Sequence, residues 1–136
     1  MIIVLDTNVL VSGILKPYSK AATILRLVAD GAIRLAHDLR LLSEYRDVLN
    51  RSKFNFPIEK LEGFLEQVEQ EGFLVSVRPF KFHLPDPDDE PFIEVALSGG
   101  FKALVTGNKR HFPRKEYDGV KILFPAEFLE VLKEKI

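Results

Sequence analysis

Short apolar runs alternate along this chain with stretches whose apolar residues recur every three or four positions. The runs are Ile2 to Leu5, Ile33 to Ala36, Leu74 to Val77, Ala103 to Thr106 and Val120 to Phe124. A short apolar run bounded by polar residues suits a strand buried on both faces, as in a parallel sheet. Between the runs, Ala21, Ile24, Leu25 and Val28 line one helix face, and Gly31 follows as a stop. Leu41, Leu42, Tyr45, Val48 and Leu49 mark a second helix, and Ile58, Leu61, Phe64, Leu65 and Val68 a third that Gly72 ends. Pro91 suits the first turn of a helix carrying Phe92, Ile93, Ala96 and Leu97 as far as Gly99-Gly100, with Asp88 or Asp89 as its cap. Pro125 and Glu127 open a last helix bearing Phe128, Leu129 and Leu132. Strands alternating with helices predict an α/β fold, a three-layer α/β/α sandwich around a mostly parallel sheet. The chain has 136 residues, the size of one domain, so residues 1–136 read as a single unit.

Composition removes several function classes. There is no cysteine, which excludes a disulfide scaffold, a zinc ribbon and a thiol nucleophile. Met1 leads directly into Ile2-Ile3-Val4-Leu5, a run too short to span a membrane and without a basic leader before it. The expectation is a cytoplasmic protein without membrane attachment. The formal net charge is −1, so the chain lacks the basic footprint usual for phosphate binding. An enzyme that meets phosphate through metal ions needs less positive charge of its own.

The chemistry-bearing residues sit where such a sheet places ligands, at the carboxyl ends of its strands. Asp6 follows the first run, with Thr7 and Asn8 behind it; a ligand and a helix cap are both natural readings. Thr106-Gly107-Asn108 closes a later run in the same way, and would face Asp6 if the two strands are neighbours. Glu44 lies at the margin of the Leu41, Tyr45, Val48 stripe, where a carboxylate wants a partner. Asp86, Asp88, Asp89 and Glu90 crowd four carboxylates into five positions, a group that repels itself unless solvated or neutralised by a cation. Dispersed carboxylates with few histidines suit Mg²⁺ or Mn²⁺ better than Zn²⁺. Such ions activate water and stabilise charge in phosphodiester hydrolysis.

The ordered set of motifs resembles the PIN-domain family. Ile3-Val4-Leu5-Asp6-Thr7-Asn8-Val9-Leu10 looks like its first motif, and Leu42-Ser43-Glu44-Tyr45-Arg46-Asp47-Val48-Leu49 like its second. The segment from Asp86 to Leu97 looks like the third, Val105 to Phe112 like the fourth, and Lys121 to Leu129 like the usual tail. The likeness covers nearly the whole chain, and the subgroup it resembles most is that of toxin components of toxin–antitoxin systems.

That resemblance implies a metal-dependent endoribonuclease. Its acidic quartet falls on Asp6, Glu44, Asp89 and Asn108, which would be both catalytic and metal-binding. Asp86 and Asp88 are rivals of Asp89 for the third place. Asn8 and Thr106 are supporting residues, the first orienting Asp6. Asn108 departs from the aspartate often found there; an amide oxygen can ligate a cation but brings no charge. Lys109 and Arg110, with His111, are candidates for phosphate contact or for a solvated loop, while His37 and His83 read as structural or surface residues. The implied partners are RNA, an antitoxin protein and a second copy of the chain in a homodimer. A haloacid-dehalogenase phosphatase would want a second aspartate where Asn8 stands, and a response-regulator receiver an acidic pair near the start. The alternative from another class is a PIN-fold module that binds RNA or protein with weak catalysis or none.

Overall fold

β1 (Ile2–Leu5) is central, with Ile3, Val4 and Leu5 fully buried, so neither of its faces meets water. That double burial is why its sequence is apolar without alternation. The computed structural model describes residues 1–81 and 83–134. After β1 come α1 (Thr7–Leu15), α2 (Lys20–Ala29), β2 (Arg34–His37), α3 (Leu39–Leu49), α4 (Ile58–Glu71) and β3 (Phe73–Leu74). A 3-10 turn at Pro87–Asp89 leads into α5 (Glu90–Gly99) and β4 (Ala103–Val105). A second 3-10 turn at Lys109–His111 precedes β5 (Glu116–Tyr117), β6 (Val120–Leu123) and α6 (Pro125–Glu134).

The six strands lie in the order β3-β2-β1-β4-β6-β5, parallel except for β5 against β6. Helices cover both sides of this sheet: α5 packs on β1, β2 and β4, while α6 packs on β4 and β6 and meets α2. The three-layer α/β/α sandwich expected from the sequence is therefore the fold observed. The chain leaves β1 toward β2 and β3, then crosses back through α5 to β4 on the other side of β1. This reversal is a topological switch, and it opens a crevice at the carboxyl ends of β1 and β4.

Local chemistry explains the helix starts. Ser19 accepts a hydrogen bond from the Ala22 amide at 3.1 Å, and Asp38 from the Leu41 amide at 3.0 Å. At Gly13 an added Cβ would lie 2.6 Å from the Leu25 side chain and 3.1 Å from the Ala21 backbone, so α1 and α2 approach as closely as only glycine permits.

Three features differ from the sequence expectation. The strand predicted over Leu74 to Val77 is instead Phe73–Leu74, paired with Ala36 and His37. The Val75 amide still bonds the His37 carbonyl at 2.9 Å, but Asp38 then turns β2 into α3, and residues 76 and 77 have no strand partner among the described residues. Neither Asp88 nor Asp89 caps α5 with its side chain. Asp86 does the capping one turn earlier, accepting from the Asp88 amide at 2.9 Å to start the 3-10 turn. Finally, β5 was not anticipated; Asp118 and Gly119, both at positive φ, join it to β6 as a tight hairpin.

Candidate metal centre in the strand-end crevice

Because β1 and β4 pair directly, Leu5 opposite Val105, Asp6 and Thr106 leave the sheet side by side. Asp6 occupies the position before α1 in an extended conformation, yet its carboxylate makes no capping bond. It accepts instead from the Thr106 hydroxyl at 2.8 Å, with the His111 Nδ1 atom 3.2 Å from the same oxygen. Only 3% of Asp6 is exposed, so this carboxylate is held out of bulk water by design of the crevice. A buried carboxylate that is not spent on a cap is available as a ligand.

Glu44 reaches the same crevice from α3. The Tyr45 hydroxyl donates to the Leu5 carbonyl, which pins α3 to the end of β1 one residue before Asp6. Glu44 is half-buried and accepts a hydrogen bond from the Thr7 hydroxyl. Burial raises its pKa above the ordinary carboxylate value; the Thr7 bond opposes this, and Asp6 and Asp88 add to it.

Asp89 arrives from the start of α5. Burial first, and then the charges of Asp6, Asp86 and Glu44, push its pKa up to about 6, against the opposing pull of His111. Asp6, Asp89 and His111 each bring a ligand atom within 4.8 Å of the others. Asp86 and Asp88 do not join this group, since Asp86 is occupied as a cap and Asp88 is exposed. Glu90 is turned away too, accepting from the Leu84 amide at 3.1 Å.

The remaining predicted residues surround the cluster. The Asn8 side chain makes no hydrogen bond to Asp6 among the described residues; its oxygen accepts from the Gly107 amide at 3.0 Å and so ties α1 to the exit of β4. Thr106 is fully buried and orients Asp6. Asn108 is exposed, and its side-chain oxygen caps the following 3-10 turn by accepting from the Arg110 amide at 3.0 Å. Lys109 is held by Glu127 at 2.7 Å and lies 4.6 Å over the Phe124 ring, which fastens the turn to α6. Arg110 is exposed and makes no ion pair among the described residues. His111 was read from sequence only with the basic loop, yet it stands in the cluster. Its distance of three residues from Asn108, one 3-10 turn, is the signal that could have placed it there.

The donor set fits a divalent cation. Three groups lie within a span one ion can bridge, and the two carboxylates among them, which see little solvent, repel each other unless a cation stands between them. Burial first, and then that repulsion, raise the pKa values of Asp89 and Glu44. The cleft around the cluster has a volume of about 500 Å³. Among the described residues no helix is long and apolar enough to cross a membrane.

Comparison with curated proteins and with solved structures returns no match. A family model described as the PIN domain matches residues 2–110, which takes in Asp6, Glu44, Asp89 and Asn108 and stops just before His111. Proteins of this family are nucleases in general. With its mostly parallel α/β sheet, its carboxylates gathered at the strand ends and a family match over most of its length, this chain belongs to the PIN-domain family.

Proposed function

We propose that the protein is a divalent-metal-dependent endoribonuclease, and that it acts as the toxin of a toxin–antitoxin pair. The convergence of Asp6, Asp89 and His111 within 4.8 Å, with Glu44 beside them, is the observation that carries the nuclease reading. Asp6, Glu44 and Asp89 would hold Mg²⁺ or Mn²⁺, with Asn108 at the rim. The bound ion supplies an activated water and charge stabilisation at the phosphate. Thr106 fixes the Asp6 oxygen, Thr7 fixes Glu44, and His111 shares the Asp6 carboxylate. An imidazole at the cluster favours Mn²⁺ over Mg²⁺ as the better cation. Arg110, which has no ion pair among the described residues, is one cation available to a substrate phosphate, whereas Lys109 must first leave Glu127.

The toxin role rests on the family subgroup that the motifs resemble. It carries with it an antitoxin partner, a homodimer and a cytoplasmic setting. The alternative, a binding module with weak catalysis, is favoured by Asn108, whose oxygen is already engaged and whose amide adds no charge.

Cleavage of a labelled single-stranded RNA with Mn²⁺ or Mg²⁺, beside an EDTA control, tests the activity. Metal-dependent cuts within the strand support the nuclease. RNA bound but never cut, by a folded protein with metal present, supports the binding module. Growth arrest on expression, relieved by a co-expressed partner, would carry the toxin role; unimpaired growth of an actively cleaving strain would count against it.

A further inference from the structure

The cleft that holds the acid cluster has a second half of different character. Val11 and Leu15 from α1, Val48 from α3 and Phe54 from the loop after α3 line it beside the carboxylates. Lys16 and Arg51 stand in the same lining. Arg51 is near enough to draw the Glu44 pKa down against its burial. Neither cation has an ion pair among the described residues. Leu15 is half exposed. The Phe54 ring is backed by Phe56, stacked nearly parallel at 5.3 Å, and Lys53 Nζ lies over it at 5.0 Å.

An apolar wall open to water beside a carboxylate cluster contributes nothing to holding a cation. It answers a different need. The protein carries a net charge of −1 and its cleft holds three carboxylates, so Lys16 and Arg51 can draw a polyanion only weakly. Stacking of a base on an aromatic and aliphatic surface adds affinity that depends little on salt or sequence. A base inside a duplex is already stacked and paired, and only an unpaired one can be turned into such a cleft. A lysine already resting on the Phe54 ring marks a π-surface that a base can occupy, releasing the cation toward a phosphate.

We infer that Val11, Leu15, Val48 and Phe54 form a nucleobase subsite, with Lys16 and Arg51 receiving the adjoining phosphates. An unpaired base of the strand is then held next to the acid cluster. This rests on the nuclease reading above and adds the surface that would hold the base.

The test is fluorescence anisotropy with a short fluorescein-labelled single-stranded oligoadenylate, with Ca²⁺ replacing the catalytic ion so that the strand stays whole. Phe54→Ala should weaken binding about tenfold with the salt dependence unchanged, and Phe54→Trp should restore it. Arg51→Gln should instead lower the slope of log affinity against log salt by about one. The same sequence as a duplex should bind at least about tenfold more weakly than the single strand. In turnover, Phe54→Ala should raise KM and leave kcat little changed. Leu15→Ala removes a half-exposed side chain and should repeat the KM effect even if Phe54→Ala proves unstable. A wild type that cleaves RNA while Phe54→Ala and Leu15→Ala bind and cut as well as it does overturns the subsite and leaves the nuclease standing. Equal binding of duplex and single strand also overturns the subsite. A wild type that neither binds nor cuts nucleic acid overturns both.

Discussion

Four carboxylates crowd positions 86 to 90, and each ends in a different environment. Asp86 caps a turn, Glu90 ties down the Leu84 amide, Asp88 stays in water and Asp89 enters the crevice. Sequence alone left Asp86, Asp88 and Asp89 as rivals, because side-chain direction in a 3-10 turn is decided by its cap, and the cap lay one turn earlier than expected. The cost of placing Asp89 there gives two predictions. Its folded pKa of about 6 lies above the ordinary carboxyl value of 3.8. The folded protein therefore binds that proton more tightly than the unfolded chain does, and ionised Asp89 destabilises the metal-free fold. Asp89→Asn should raise the melting temperature of metal-free protein at pH 7.5 by roughly 3 °C or more. That gain should shrink as pH falls through 6 toward 4, and thermal melts across this range would show it. In the wild type, protons compete with the cation for the same carboxylate, so Mn²⁺ affinity should fall below about pH 6, as calorimetry would record. At His111, replacement by alanine should reduce cleavage about ten- to a hundredfold while the fold survives, since its ring is partly exposed and shares the Asp6 oxygen.

Elements were legible wherever one periodicity ruled. The β1 run, the stripe of α3 and the Pro91 start of α5 follow from double burial, a helical face and proline geometry. The pairing of β1 with β4, on which the site depends, could be posed only as a condition, since strand order is a property of the whole chain. The β5–β6 hairpin was missed although Asp118-Gly119 is a strong turn signal, because a two-residue strand has no measurable periodicity. Tyr45 read as an ordinary apolar-stripe residue, but its fully buried hydroxyl binds the Leu5 carbonyl and sets α3 beside Asp6. Tyr45→Phe should cost about 1–2 kcal/mol in denaturant unfolding, the effect of leaving that carbonyl unpaired. His37, at the end of β2, reads from sequence as a structural or surface residue and is buried against Gly72, where an added Cβ would come 2.8 Å from its ring. Among the described residues neither ring nitrogen has a hydrogen-bond partner of good geometry, and burial lowers its pKa despite the raising influence of Glu69, the Val68 backbone and Asp38. The unfolded chain takes up this proton first, so stability from neutral His37 is full above pH 6.5 and is lost as pH falls below it. His37→Leu should therefore gain about 1 kcal/mol over wild type at pH 5, with a smaller difference at pH 8.

At the scale of the whole molecule, the chain reversal about β1 and the burial of three acids form one design. The sheet order makes the crevice, the end of β1, helix α3 and the 3-10 turn before α5 each deliver one carboxylate to it, and the fold carries the electrostatic cost. A cation that binds only the folded form returns that cost as stability, about 2.7 kcal/mol at a hundredfold excess over Kd. The proposed metal site turns on Asp6, which is buried, bonded to Thr106 and placed between β1 and α1 without capping the helix. The decisive measurement is a calorimetric titration of Mn²⁺ into wild-type protein and Asp6→Asn, paired with cleavage of the same labelled RNA. Binding and cleavage should both be present in the wild type and both be lost in a variant that still folds. Asp6→Asn that cuts RNA as the wild type does would contradict a carboxylate-held metal as the source of the activity.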